Sequence, residues 1–206
     1  MIDPKCHQCR HAGEKLFLKG ARCFSPKCAI VRRVGPPGVH GAKRKRAGSE
    51  FGVQLQEKQK VKRSYGLRER QFRKYFETAS KSKGETSAML ARILETRLDN
   101  IVFRLGFSGS RSQARQMVGH GHFTVNGRRV DVPSIQVKKG DVVAIRPQSA
   151  SKKIFTDLRA ILKKHEPPVW LSLDKENLKG QVEKVPGYDE MEMPFNLQLI
   201  TEFYSK

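Results

Sequence analysis

Apolar side chains recur at helical spacing through the middle of the chain, at Leu90, Ile93, Leu94, Leu98, Ile101 and Leu105, and the run stops at Gly106. That spacing predicts a helical layer bent near Arg97. Upstream, Ser49 is placed to cap a helix through Phe51, Leu55, Lys58 and Lys62 that stops at Tyr65-Gly66; Phe72, Tyr75, Phe76 and Ala79 then mark a second apolar face. Lys81-Ser82-Lys83-Gly84 breaks the pattern. Both of these helices have a core side and a basic side.

The next stretch changes period. Ser110 can accept from the amide of Gln113 while the Gln113 side chain reaches back, a capping box that starts a helix carrying Arg111 and Arg115 on one face. Gly119 is expected to supply the left-handed cap and Gly121 the next turn. Phe123 and Val125 alternate with Thr124 as a half-buried strand does, and Asn126-Gly127 closes a hairpin before Arg128. Ile135, Val137, Val142, Val143 and Ile145 extend a small twisted sheet around the turn Lys139-Gly140-Asp141. Residues 152–164 read as a further helix with Ile154, Leu158, Ile161 and Leu162, ended by Pro167-Pro168. The tail holds Trp170, Leu171, Leu173, Phe195, Leu197, Leu199, Ile200 and Phe203, and is expected to fold back onto the N-terminal helices.

Charge turns this outline into a binding hypothesis. The 206 residues hold 41 Lys and Arg against 20 Asp and Glu, a net +21 and a pI near 10.2, so a polyanion must neutralise the compact state; nucleic acid is the expected partner. Residues 151–206 carry equal numbers of acids and bases, so the excess belongs to the first 150 residues. No apolar run approaches the length of a membrane span, and neither a signal peptide nor a lipidation motif is evident, which points to a soluble cytoplasmic protein. The candidate phosphate contacts are Lys43, Arg44, Lys45 and Arg46 after the Pro/Gly-rich Gly35–Gly41; Lys58, Lys62, Arg63 and Arg70 on the basic helix faces; and Arg111, Arg115, His120 and Arg128 around the capped helix and hairpin. His120 and His122 lack any Cys, Asp or Glu between residues 100 and 130 to complete a metal site. The rival reading is an RNA-modifying enzyme, such as a pseudouridine synthase, that holds its substrate with residues 95–150; the short segment after residue 150 carries no convergent acid, base and nucleophile set for it, so no enzyme is expected.

All four cysteines lie in the first 28 residues as Cys6-x2-Cys9-x13-Cys23-x4-Cys28. A two-residue gap lets two thiolates bite one ion, and a second pair completes a tetrahedron, so one structural zinc is expected. Lys5, Arg10, Arg22 and Lys27 can offset the excess negative charge of four thiolates. An iron–sulfur cluster and a redox disulfide pair are the alternatives. The fold class that follows is α+β: a zinc-bound basic arm at 1–48, a discontinuous helical domain of 49–94 with 165–206, and a helix-and-sheet RNA-binding domain at 95–164.

Residues 110–130 resemble the RNA-binding domain named after small-subunit ribosomal protein S four, a domain also found in pseudouridine synthases, tyrosyl-tRNA synthetases and some heat-shock proteins. Ser49-Glu50-Phe51-Gly52-Val53-Gln54-Leu55, Tyr65-Gly66-Leu67-Arg68-Glu69-Arg70-Gln71-Phe72, Arg97-Leu98-Asp99-Asn100-Ile101-Val102-Phe103-Arg104 and Thr201-Glu202-Phe203-Tyr204-Ser205-Lys206 extend the likeness to the bacterial ribosomal protein S four family along the whole chain. The resemblance implies primary binding to the 5′ domain of 16S rRNA with Arg111, Gln113 and Arg115 facing the RNA, and nucleation of the small-subunit body. It also implies contact with ribosomal protein S five and other small-subunit proteins, an influence on translational accuracy, and a place for Lys43 to Arg46 near where the messenger enters. Some relatives repress their own operon. The cysteines match the family's zinc-bearing branch. Ser108-Gly109 and Gly119 depart from the family pattern.

Overall fold

The structure, a computed structural model, describes residues 4–33, 35–42, 48–191 and 193–205. Its α+β chain divides into one unit of Met1–Ser87 with Pro194–Lys206 and a second of Ala88–Met193.

In the first unit, short polar helices α1 (Lys5–Ala12), α2 (Ala21–Phe24) and α3 (Ala29–Arg32) are joined by tight turns; Gly13 takes the left-handed conformation that closes α1 onto the Cys9 carbonyl. This segment buries a small cluster, Cys9, Ala12, Leu16 and Leu18, with Ile30 and Phe195 packed against it, and Cys23 and Cys28 are buried as well. α4 (Glu50–Ser64) starts where expected, with Ser49 Oγ accepting from the Gly52 amide at 3.2 Å. α5 (Glu69–Ser80) buries Phe72, Tyr75, Phe76 and Ala79. The C-terminal helix packs on α4, with Phe203 5.4 Å from Phe51 and Tyr204 stacked 4.6 Å from Phe76.

The second unit begins within α6 (Thr86–Glu95), followed by α7 (Leu98–Arg104). The bend expected near Arg97 is a complete break: Arg97 is extended (φ −64°, ψ 139°), bridges to Gln136, and is fully buried in a two-pronged pair with Asp99. Ile135 and Val137 consequently serve this bridge and form no strand of the sheet. α8 (Arg111–Gly119) leads into β1 (Phe123–Val125) and β2 (Arg128–Val130), with Asn126 and Gly127 both at positive φ as a two-residue hairpin demands. The left-handed residue after α8 is Gly121, at φ 68°; Gly119 stays helical.

β3 (Val142–Ile145) pairs with β1 on one side and on the other with the second of two further strands. After α9 (Pro147–Ala150) the expected helix over 152–164 is a 3₁₀ turn at Lys153–Phe155 followed by α10 (Leu158–Lys163), which leaves Ile154 and Ile161 exposed. β4 (Leu171–Asp174) and β5 (Lys179–Val182) then complete a five-stranded antiparallel sheet in the order β2-β1-β3-β5-β4. Gly180 gives the buried Leu105 side chain room there: a Cβ would stand 2.4 Å from it and force it to shift.

Of the expected return of 165–206 to the helical unit, the first unit takes in Pro194–Lys206, with α11 (Leu197–Ser205) and Phe195. Trp170, Leu171 and Val182 belong to the core of the second unit with Leu98, Leu105, Phe123 and Val143, because pairing of β5 with β3 draws 165–193 into the sheet.

Candidate nucleic-acid interface

Local sequence rules build the helix that carries the candidate contacts. Ser110 Oγ accepts from the Gln113 amide at 3.3 Å, and Gln113 Oε1 accepts in turn from the Gly109 amide at 3.1 Å, one residue before the position a capping box requires. Ala114, Met117 and Val118 hold α8 on the core, leaving Arg115, Gln116 and His120 exposed. Arg128 and Arg129 are exposed on β2. Arg129 lies over the turn after α8, so close that a Cβ on Gly121 would be 2.5 Å from its Nε. Arg115, His120, Arg128 and Arg129 are thus exposed on α8, its following turn and the hairpin.

Arg111 is placed differently. Its Nε donates to Asn100 Oδ1 at 2.7 Å, its guanidinium lies 3.6 Å from Glu95 and 4.7 Å from the centre of the Phe103 ring, and its side chain is only 20% exposed. The fully buried Glu95 carboxylate also receives Arg104 at 2.9 Å and Asn100 at 2.9 Å. Arg104 further donates to the Met191 carbonyl. Glu95 therefore ties the start of α8 to α7, and Arg111 is a strut of that tie.

On α4, Lys58 is buried, donates to Glu69 at 2.8 Å and lies 4.3 Å from the Phe203 ring centre. Lys62 donates to the other oxygen of the same carboxylate at 2.8 Å, and the Tyr204 hydroxyl donates to it as well. Burial opposes ionisation of Glu69, but hydrogen bonds from Lys58, Lys62 and Tyr204 outweigh it and hold the carboxyl at about 2. Burial and the Glu69 carboxylate push the Tyr204 hydroxyl upward. Arg63 is half-buried and Arg70 exposed. Lys43, Arg44, Lys45 and Arg46 lie outside the described residues.

His122, two residues from the exposed His120, is buried with Nδ1 3.0 Å from Ser149 Oγ. Burial lowers its pKa, and the charges of Lys152, His120 and Arg146 lower it further. The two histidines are edge to face at 5.9 Å, with the second serving the core.

The four cysteines line one small cavity with Lys5 and Arg22, and none is in a disulfide. The Lys19 amide donates to Cys23 Sγ at 3.3 Å. Burial raises the Cys9 thiol pKa, a backbone hydrogen bond from Leu16 opposes it, and Cys23, Cys6 and Cys28 add to the rise. Among the described residues, no three His, Cys, Asp or Glu side chains stand as a metal-holding group. The four thiols thus share one cavity, with the Lys19 and Leu16 amides directed at the sulfurs of Cys23 and Cys9.

Arg129 and Glu95 belong to this surface and its support although a count of charge does not single them out. Strand alternation could have separated Arg128 from Arg129, and the neighbouring Gly121 could have marked a close approach. Nothing local marks Glu95, whose partners Arg104 and Arg111 lie beyond the helix break at Arg97.

Residues 1–95 match the family described as ribosomal protein S4/S9 N-terminal domain, and 96–143 match the S4 domain. Small ribosomal subunit protein uS4 of Thermus thermophilus is 51% identical over 205 residues, covering 100% of this chain and 98% of the relative. The protein of the same name from Caldicellulosiruptor bescii is 52% identical over 205 residues, with the same coverage. Small ribosomal subunit protein uS4A of Symbiobacterium thermophilum is 51% identical over 203 residues, covering 98% of this chain and 97% of its own.

Proposed function

Because the chain belongs to the uS4 family of small ribosomal subunit proteins, which are structural RNA-binding proteins and not enzymes, we propose that it binds the 5′ domain of 16S rRNA directly and nucleates assembly of the subunit body. Its place is the ribosome, in the cytoplasm. The observation that carries the reading is the exposed set Arg115, His120, Arg128 and Arg129 on α8 and the hairpin, a stretch with no acid between residues 100 and 130. Cations on a rigid element contact phosphates in a fixed register, which gives site preference beyond bulk charge.

The same reading includes contact with ribosomal protein S five, a share in translational accuracy, a position of Lys43 to Arg46 beside the messenger, and repression of the protein's own messenger. Its support is the family resemblance along the chain.

The reading extends to one structural zinc held by Cys6, Cys9, Cys23 and Cys28, supported by their spacing and shared cavity. Zinc there would draw four sulfurs together and order a segment with almost no apolar core of its own. Protein purified without added metal should carry about one zinc per chain, and a chelator should lower the unfolding temperature. Metal-free protein with unchanged stability would contradict that assignment.

The function is tested by binding to a 5′-domain rRNA fragment in competition with a scrambled RNA of equal length. A preference retained as salt rises supports it; a preference that vanishes with salt leaves only a general polycation.

A further inference from the structure

The second unit contains a cleft of about 920 Å³ whose lining holds more carboxylates than cations. Its floor includes Phe103 and Leu158, one wall is Pro167-Pro168, and its rim carries Ile154, Ile161 and Val169, which are 46%, 58% and 71% exposed. Three exposed carboxylates, Asp157, Glu166 and Asp189, also line it, and among the described residues no cation pairs with them. The lining cations are mostly committed elsewhere. Arg104 is held by Glu95 and the Met191 carbonyl, and His165 bonds to the Arg104 carbonyl at 2.8 Å while its ring fills the space over Gly106. Lys153, an exposed ammonium, also lines the cleft.

In a chain of net charge +21, a concave surface with an excess of carboxylates repels RNA phosphate. Large apolar side chains exposed together mark a protein contact, and unpaired acids around them select a cationic one. We infer that this cleft docks an extended, Lys- and Arg-rich segment of another protein of the small subunit, its apolar side chains against Ile161 and Val169 and its cations on Asp157, Glu166 and Asp189. The inference rests on the ribosomal reading above. The docked segment offsets the exposed carboxylates and covers an apolar patch that RNA cannot cover.

A photoreactive benzophenone amino acid substituted for Ile161, and separately for Val169, in protein assembled into small subunits tests this directly. Irradiation should join either position to a Lys- and Arg-rich peptide of another subunit protein, identified by mass spectrometry. Adding Asp157→Lys and Glu166→Lys should cut that product about tenfold while leaving binding of the free protein to the 5′-domain fragment undiminished. Cross-links to rRNA, or none from either position in assembled subunits, would overturn the inference and leave the ribosomal reading intact. Failure of the unsubstituted chain to assemble into subunits at all would overturn both.

Discussion

Glu69 shows how a single carboxylate redirects two lysines that a count of charge assigns to RNA. Lys58, Lys62 and Tyr204 all donate to it, so α4, α5 and α11 meet at one ionised group. Lys58 and Glu69 stand eleven positions apart across the Tyr65-Gly66 turn, and no rule based on neighbouring residues pairs them. The pairing has a pH signature. The Glu69 carboxyl sits at about 2 in the fold against an ordinary value of 4.5, so its stabilisation is complete above pH 4.5 and fades as pH falls toward 2. Its side chain is 45% exposed, which keeps the contribution small. Glu69→Gln should flatten the acid limb of the unfolding curve between those values, measured by circular dichroism, while unfolding at neutral pH shifts only slightly. An acid limb identical to that of the unsubstituted protein would show that the three donors do not depend on the charge.

Among elements, those governed by short-range rules were legible in the sequence. Ser49 and Ser110 cap α4 and α8 as their spacing demands, and Asn126-Gly127 turns the hairpin because both positions need positive φ. Elements fixed by distant partners were not. β4 and β5 exist because β5 pairs with β3, some forty residues away, and the break at Arg97 exists because Gln136 bridges to it. The candidate site divides in the same way: exposure of Arg115 and Arg128 followed from local pattern, whereas the inward turn of Arg111 followed from Glu95. That carboxylate sets the pose of α8. Removing its charge should destabilise the second unit by about 3 kcal/mol or more, since two arginines lose a buried partner. Glu95→Gln should also weaken binding to the 5′-domain fragment with little change in its salt dependence, because phosphate contacts are displaced and not deleted. An unchanged affinity would remove Glu95 and Arg111 from the account of docking.

For the molecule as a whole, the cations divide between those that hold acids of the fold and those exposed on α8 and the hairpin. The chain carries +21, yet part of that charge is internal structure: Lys58, Lys62, Arg97, Arg104 and Arg111 each hold an acid of the fold. Arg115, Arg128 and Arg129 are by contrast exposed on α8 and the hairpin, and the acidic cleft of the same unit is proposed for a different kind of partner. The most direct test is the slope of log affinity against log salt for the 5′-domain rRNA fragment, measured for the unsubstituted protein, for Arg115→Ala with Arg128→Ala, and for Lys62→Ala. The double variant should lose about one unit of slope per arginine, and Lys62→Ala should keep the slope of the unsubstituted protein. An unchanged slope in the double variant, or an equal loss on removing Lys62, would contradict the division between outward and inward cations.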